Sequence, residues 1–180
     1  MKRVLLLALV ILGIPCMSFA SPFFEAFYLA GGKTNGPEYV IDQENNFTFG
    51  GSVLMGSNFF VGVDVLTHNQ AFTDTPYSRG LSSQFTLIDA LLGGAYLLPV
   101  TKTMNVCVYA DVGVGGYRAE YTSSVNDGTI EGICTEIGCG SFVSLGSVML
   151  GAEYKLNGLI GSGWYGTFNI VVGIFLGDTI

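Results

Sequence analysis

Acidic side chains recur in segments of this sequence that otherwise alternate between apolar and small residues. Carboxylates buried without partners stay hydrated, bind cations or share protons, so a group of them can do chemistry. Only two bases occur nearby, and one of them, Arg118, falls on the apolar side of its segment. The five acids and the remaining base form a candidate polar cluster, which consists of Glu25, Asp64, Asp89, Asp111, Glu153 and Lys155. We interpret it as a site for water or cations, although the same acids could be solvated groups near strand ends.

Catalysis would need a nucleophile held beside an oriented base. His68 is the only histidine, and Asn69 and Gln70 follow it rather than a serine. A lone histidine is more often a structural hydrogen-bonding group. The sequence therefore predicts a protein that is not an enzyme and needs no cofactor.

Two cysteines lie close together in a polar segment. Cys134 and Cys139 could form a disulfide within a loop, which would leave Cys107 as an unpaired thiol. One histidine and a pair of cysteines four residues apart do not supply the ligands of a zinc site, so no metal is predicted.

The N-terminus has the features of an export signal. A positive start is followed by eleven apolar or glycine residues, and Ser18 and Ala20 then supply small residues three before and immediately before the predicted cut. We predict a signal peptide over residues 1–20 and a single domain over residues 21–180. A transmembrane anchor is the alternative, but Pro15 ends the run far short of about 20 residues. Lipid attachment at Cys16 is a further alternative.

The composition excludes several classes of protein. Only 12% of the residues are charged, 49% are hydrophobic and 26 are glycine, whereas water-facing globules carry about 25% charged residues. Loss of Lys2 and Arg3 with the signal leaves five basic and fourteen acidic residues, so the mature chain carries a net charge of −9. Few and scattered bases argue against nucleic acid as a partner. A surface that is itself apolar points to lipid.

Short segments with a period of two predict strands in the mature chain. One face of each strand is mostly apolar, and the other is mostly small, polar or acidic. In the third strand, for example, Val61, Val63 and Val65 oppose Asp64 and His68. Seven strands are clear: Phe24 to Gly32, Asn46 to Gly56, Asn58 to His68, Gln84 to Leu97, Met104 to Tyr121, Ser141 to Lys155 and Trp164 to Leu176.

The composition of the polar faces indicates which face of each strand points outward. They hold mostly glycine, serine and asparagine with isolated acids, too few charges to solvate the outside of a soluble sheet. A narrow, crowded lumen explains them better, so the apolar faces are predicted to look outward into lipid. The connections also alternate between long and short, as in membrane barrels, and this predicts external loops at 69–83 and 122–140.

Four runs carry a resemblance to a known family. They are residues 61–65, 111–117, 151–156 and 172–175, each of which alternates apolar with small or acidic residues. The chain resembles the small outer-membrane barrels of the OmpX, OmpW and OmpA transmembrane type. The resemblance implies an all-β, antiparallel, up-and-down transmembrane β-barrel in the cell outer membrane, most simply with eight strands.

Two features depart from that family. The chain ends at Ile180 rather than at an aromatic residue, and seven strands would leave the termini on opposite sides. The eighth strand could come from splitting Gly158 to Phe175, which we favour, or from Tyr39 to Asp42; the barrel could also be incomplete.

The predicted function is a structural or surface-interaction role, in which the external loops contact extracellular ligands and the barrel wall contacts outer-membrane lipid. The alternative is a narrow channel for small apolar or ionic solutes, although eight strands leave an interior about filled by side chains. The enzymatic alternative is lipid acyl hydrolysis, which some small outer-membrane barrels perform with His and Ser. It would depend here on His68 with a distant serine such as Ser78, Ser82 or Ser83.

Overall fold

The protein is all-β. The computed structural model describes residues 23–35, 47–72, 81–122, 127–160 and 163–177, so the predicted signal peptide lies outside the described residues. None of these residues forms a helix long and apolar enough to cross a membrane. Eight strands are present: β1 (Phe24–Asn35), β2 (Phe47–Gly56), β3 (Phe59–Phe72), β4 (Leu81–Thr101), β5 (Met104–Thr122), β6 (Asp127–Leu145), β7 (Val148–Leu159) and β8 (Gly163–Gly177).

The strands form a closed antiparallel barrel in which each strand pairs with its neighbours in sequence. β1 also pairs with β8, from Phe24 opposite Gly177 to Asn35 opposite Gly166, and this ladder closes the barrel. The start of β1 and the end of β8 therefore lie at the same end of the barrel. The predicted up-and-down barrel of eight strands is confirmed.

Alternation along each strand separates an outer from an inner surface. On β3, Val61, Val63 and Val65 are exposed, whereas Asp64 and His68 are buried inside. The same division holds on β5, where Val108, Val112 and Val114 look outward, and on β8, where Ile170, Val172 and Ile174 do. The wall thus carries a continuous apolar belt, as the sequence predicted.

The source of the eighth strand differs from the prediction. Gly158 to Phe175 does not split into two new strands, and Tyr39 to Asp42 lies outside the described residues. The missing strand is β6, which takes up most of the predicted loop 122–140. The predicted strand from Ser141 to Lys155 is in fact the end of β6 and most of β7, divided by a tight turn. Gly146 makes this turn with a φ of +59°, a conformation that favours glycine.

The connections lie at two distinct ends of the barrel. The turn end carries the short turns 57–58, 102–103 and 146–147 together with the start of β1 and the end of β8. The loop end carries the connections 36–46, 73–80, 123–126 and 160–162. The predicted loop 69–83 is reduced to 73–80, because β3 and β4 continue their pairing beyond the belt as far as Phe72 and Leu81. Connections 36–46 and 73–80 are much longer than the turns, as predicted, whereas connections 123–126 and 160–162 are nearly as short as the turns.

The predicted disulfide between Cys134 and Cys139 is wrong. Both residues lie in β6, and their odd separation puts Cys134 inside the barrel and Cys139 on its outer face. An extended strand also holds residues five apart at about 17 Å, far beyond the reach of an S–S bond. Cys107, Cys134 and Cys139 are all free thiols.

A thiol count tests this arrangement. We expect all three thiols of a protein expressed from residue 21 onward to react with a maleimide after denaturation without a reductant, and mass spectrometry counts the adducts. A sample reduced beforehand serves as the control and should give the same number. A single adduct without reductant and three with it would restore the disulfide.

Candidate functional site in the barrel lumen

Five of the six residues in the predicted polar cluster face the interior. Asp64 on β3, Asp89 on β4, Asp111 on β5, and Glu153 and Lys155 on β7 are all buried. Glu25 is not among them. It alternates with the buried Phe24 and Ala26 on β1, so it lies on the outer side near the turn end and is only half-buried.

Lys155 lies at the centre of this group. Its Nζ is 2.8 Å from Oδ2 of Asp64 and 3.2 Å from Oε1 of Glu136, and it lies 3.9 Å from Oε1 of Glu153. These contacts join β7 to β3 and β6 across the lumen. The side chains involved are at most 1% exposed, so water does not screen the attraction.

Glu153 is held by neutral donors as well. Its Oε2 accepts hydrogen bonds of 2.9 Å from the hydroxyls of Tyr28 and Tyr109, and its Oε1 accepts one of 2.9 Å from Nδ2 of Asn169. A carboxylate with three donors is well compensated for its burial. This contact set ties β7 to β1, β5 and β8.

The other acids have fewer partners. Asp64 accepts a hydrogen bond from Ser52, and Asp89 accepts one of 3.1 Å from the thiol of Cys134. Asp111 accepts one from the backbone of Gly138, whose missing side chain leaves room for the carboxylate. In the described barrel, Oδ2 of Asp89 and Oδ1 of Asp111 have no hydrogen-bond partner.

Half of this site lies outside the cluster predicted from the sequence. Glu136 falls in the predicted loop 122–140, and the predicted cluster contains no neutral polar residue. The signal was present in β6, where Ile133 and Ile137 alternate with Cys134 and Glu136. We call the complete set the polar layer: Ser52, Asp64, Asp89, Asp111, Glu136, Glu153, Lys155, Asn157, Thr167 and Asn169.

Two apolar clusters flank the polar layer along β3 to β8, whereas β2, which contributes Ser52, has a residue in only one of them. The turn-side plug contains Phe24, Leu54, Phe60, Phe142, Met149 and Phe175. The loop-side plug contains Leu66, Phe85, Leu87, Cys134, Leu159 and Tyr165. Phe175 packs on Phe24 and Phe142 with ring centroids 5.8 and 5.5 Å apart, so the aromatic rings meet across the lumen. The interior is filled by side chains, as expected for eight strands.

His68 belongs to the loop side of the lumen. Its Nδ1 lies 2.9 Å from the hydroxyl of Thr48 and 3.1 Å from that of Thr34, and its Nε2 lies 3.3 Å from the hydroxyl of Tyr165. All four residues are buried, so neither bulk solvent nor lipid reaches the ring. The contacts link β3 to β1, β2 and β8.

Arg118 lies on the outer face, as the register predicted. It pairs with Glu120 at 3.1 Å and with Glu131 at 3.7 Å, and all three side chains are more than half exposed. This polar group lies between the apolar belt and the loop end, so it marks where the belt stops on β5 and β6.

The closed ring, the apolar wall and the side-chain-filled lumen define a class of fold. It is that of the small eight-stranded outer-membrane β-barrels.

Three solved structures share this fold at low sequence identity. Ail, the attachment invasion locus protein of Yersinia pestis, matches with a TM-score of 0.57 and 14% identity over 88% of this chain and 100% of its own. The N-terminal β-barrel domain of Pseudomonas aeruginosa OprF matches with a TM-score of 0.54 and 13% identity, over 86% and 97%. Neisserial surface protein A matches with a TM-score of 0.51 and 15% identity, over 84% and 96%. No family model and no curated protein sequence matches the chain.

The contacts of Lys155 predict a large loss of stability on its removal. Lys155→Met should lower the free energy of unfolding by about 3–5 kcal/mol, because it leaves Asp64 and Glu136 buried without their cation. Lys102→Met, in an exposed turn, is the matched control and should change it by about 0.5 kcal/mol or less. Urea unfolding in lipid vesicles measures both. Equal losses in the two variants would show that the central ion pairs do not stabilise the barrel.

Proposed function

We propose that this protein is an integral outer-membrane barrel with a closed lumen, and that it acts at the cell surface through its loop end. The observation that carries the proposal is the pair of apolar plugs on either side of the polar layer. A solute entering from either end would have to displace packed aromatic rings before it reached the polar layer.

The apolar belt supports the membrane location. Large apolar side chains such as Leu29, Val61, Val112 and Ile170 are about half or more exposed around the wall. Exposing an apolar surface of this size to water is unfavourable for a monomer, whereas contact with lipid hydrocarbon is favourable. In this setting the predicted signal peptide would direct export.

The loop end is the surface available for contacts with other molecules. Connection 36–46 contains Glu38, Asp42 and Glu44 without a base, and connection 73–80 contains Asp74 and Arg79. Ail has been solved in complex with the heparin analogue sucrose octasulfate. The acidic loop end of this chain favours the opposite chemistry, so we propose cationic ligands rather than sulfated polyanions.

A narrow channel is the second candidate. The polar layer favours it, because its charged side chains could bind ions on their way through the lumen. The plugs oppose it, since both would have to open together. We propose no catalytic role for His68, because its ring and its three hydroxyl partners are buried beyond the reach of a lipid substrate.

One experiment separates the two candidates. The wild-type barrel, checked for folding by its heat-modifiable gel mobility, is placed in planar bilayers, and a variant with short turns in place of 36–46 and 73–80 is compared with it. We expect leak-level conductance from both proteins. We also expect the wild type alone to bind a cationic peptide at the surface of intact cells.

Discrete conductance steps that survive loop shortening would support the channel instead. If the folded loop variant bound the cationic peptide as tightly as the wild type, these two connections would not be the binding surface. A wild type that binds a sulfated polyanion more tightly than the cationic peptide would contradict the proposed ligand chemistry.

A further inference from the structure

We propose that the lumen holds one hydrated metal cation between Asp89 and Glu136, with the side-chain oxygen of Asn157 as a further ligand. This site is distinct from the surface role proposed above. It lies in the polar layer, between the two plugs.

The charge of the polar layer calls for a further cation. Five buried carboxylates, those of Asp64, Asp89, Asp111, Glu136 and Glu153, face the single ammonium of Lys155. Lys155 lies within 4 Å of carboxylate oxygens of Asp64, Glu136 and Glu153, and among the described residues it forms no ion pair this short with the other two acids. Unbalanced charge in an interior surrounded by hydrocarbon is very costly, so the excess negative charge must be neutralised, either by protons or by a further cation.

Gly113 brings two of the carboxylates together. It lies on β5 between the strands that carry Asp89 and Glu136, and it points into the lumen. A Cβ placed on Gly113 would lie 3.2 Å from Cβ of Glu136 and 3.4 Å from Cβ of Asp89. Cδ2 of Leu91 lies 2.7 Å from the same point. The two acids therefore flank a glycine, and their Cβ atoms lie close together beside the end of the Leu91 side chain.

Their free oxygens are the ones available to an ion. Oδ1 of Asp89 accepts from Cys134 and Oε1 of Glu136 is paired with Lys155, whereas Oδ2 and Oε2 have no partner among the described residues. Each acid thus has one oxygen engaged and one left over. Two adjacent carboxylates with spare oxygens repel each other unless a cation or a shared proton lies between them, and a cation would use both spare oxygens as ligands.

Asn157 supplies an independent sign of a ligand. It is fully buried, and neither its Oδ1 nor its Nδ2 has a hydrogen-bond partner in the described barrel. It is the register partner of Glu136 on the neighbouring strand β7, and both side chains face inward. A buried amide with both groups free is costly, and an ion with bound water would satisfy the oxygen and the nitrogen respectively.

The donor set selects the kind of cation. Carboxylate and amide oxygens are ligands of hard ions such as Ca²⁺, while soft metals prefer sulfur or imidazole. No three His, Cys, Asp or Glu side chains of the described strands form a metal-binding group. The ion accordingly keeps part of its hydration shell, as Ca²⁺ sites with few protein carboxylates do.

The plugs fix when the ion can enter. Because the layer is closed on both sides, the cation is captured while the barrel forms and exchanges slowly afterwards. This distinguishes it from ions bound at the acidic loop end, which a chelator would remove from the folded protein at once.

Refolding the mature chain in detergent micelles tests the site. One sample refolds with CaCl₂ and another with EDTA, and both then pass through a desalting column in EDTA. Bound calcium is measured by mass spectrometry, and the midpoint of thermal unfolding by circular dichroism. We expect about one retained Ca²⁺ per barrel and a midpoint raised by about 5–10 °C at saturating calcium.

Three variants assign the ion to its ligands. Glu136→Gln and Asp89→Asn keep the side-chain size, and Asn157→Leu removes the amide without a change of charge; each should lose the retained calcium and the rise in midpoint. Glu120→Gln removes a carboxylate on the exposed outer face and should keep both. In EDTA, Glu136→Gln and Asp89→Asn should melt at or above the wild-type midpoint, because each lowers the excess of five carboxylates over one ammonium, and Lys155 keeps Asp64 and Glu153 as partners in both variants. A cooperative transition also shows that the variants fold.

The opposite results overturn the proposal. A wild type that retains no calcium and melts at the same midpoint in CaCl₂, NaCl and EDTA holds no metal. A midpoint that responds only to pH would show that protons neutralise the acids. Retained calcium in Glu136→Gln and Asp89→Asn would place the ion elsewhere.

Discussion

Closure of the barrel between its first and last strands is the constraint on which the rest of the structure depends. Twelve register pairs between β1 and β8 complete the ring, so no strand is left as an edge. In hydrocarbon each unpaired backbone group would cost several kcal/mol, and a closed ring avoids this cost along the whole belt. Closure also fixes which side chains meet inside, because each strand can then present only alternate residues to the lumen.

The lumen is where this constraint is most demanding. Eight strands leave space for side chains only, so the interior must be packed like a core although it contains five carboxylates. The structure meets this demand in layers, with apolar plugs at both sides and charged residues between them. Lys155 and Glu153 each reach several strands, so the polar layer joins parts of the wall that are not neighbours in the sheet.

The sequence predicted the parts of the barrel in which alternation is strongest. β3, β5 and β8 carry regular branched residues outside, and their faces are as expected. β6 was missed because Gly132, Gly138 and Gly140 interrupt its pattern, and the lumen role of Glu136 was missed with it. The turn at Gly146 and Ser147 gave no clear signal because Leu145 and Val148, which flank it, are apolar and continue the strand pattern. Glu25 was misplaced because β1 is apolar on both faces near its start, so period alone did not assign its side.

Trp164 tests most directly whether the apolar wall faces hydrocarbon. It is the only tryptophan, it is half exposed on the outer face near the loop end of β8, and its ring covers Gly158. Its fluorescence can be measured in vesicles of lipids brominated at different depths. Strong quenching, greatest for bromines near the headgroups, is the predicted result. Emission that brominated lipids leave unchanged but an aqueous quencher removes would contradict the account.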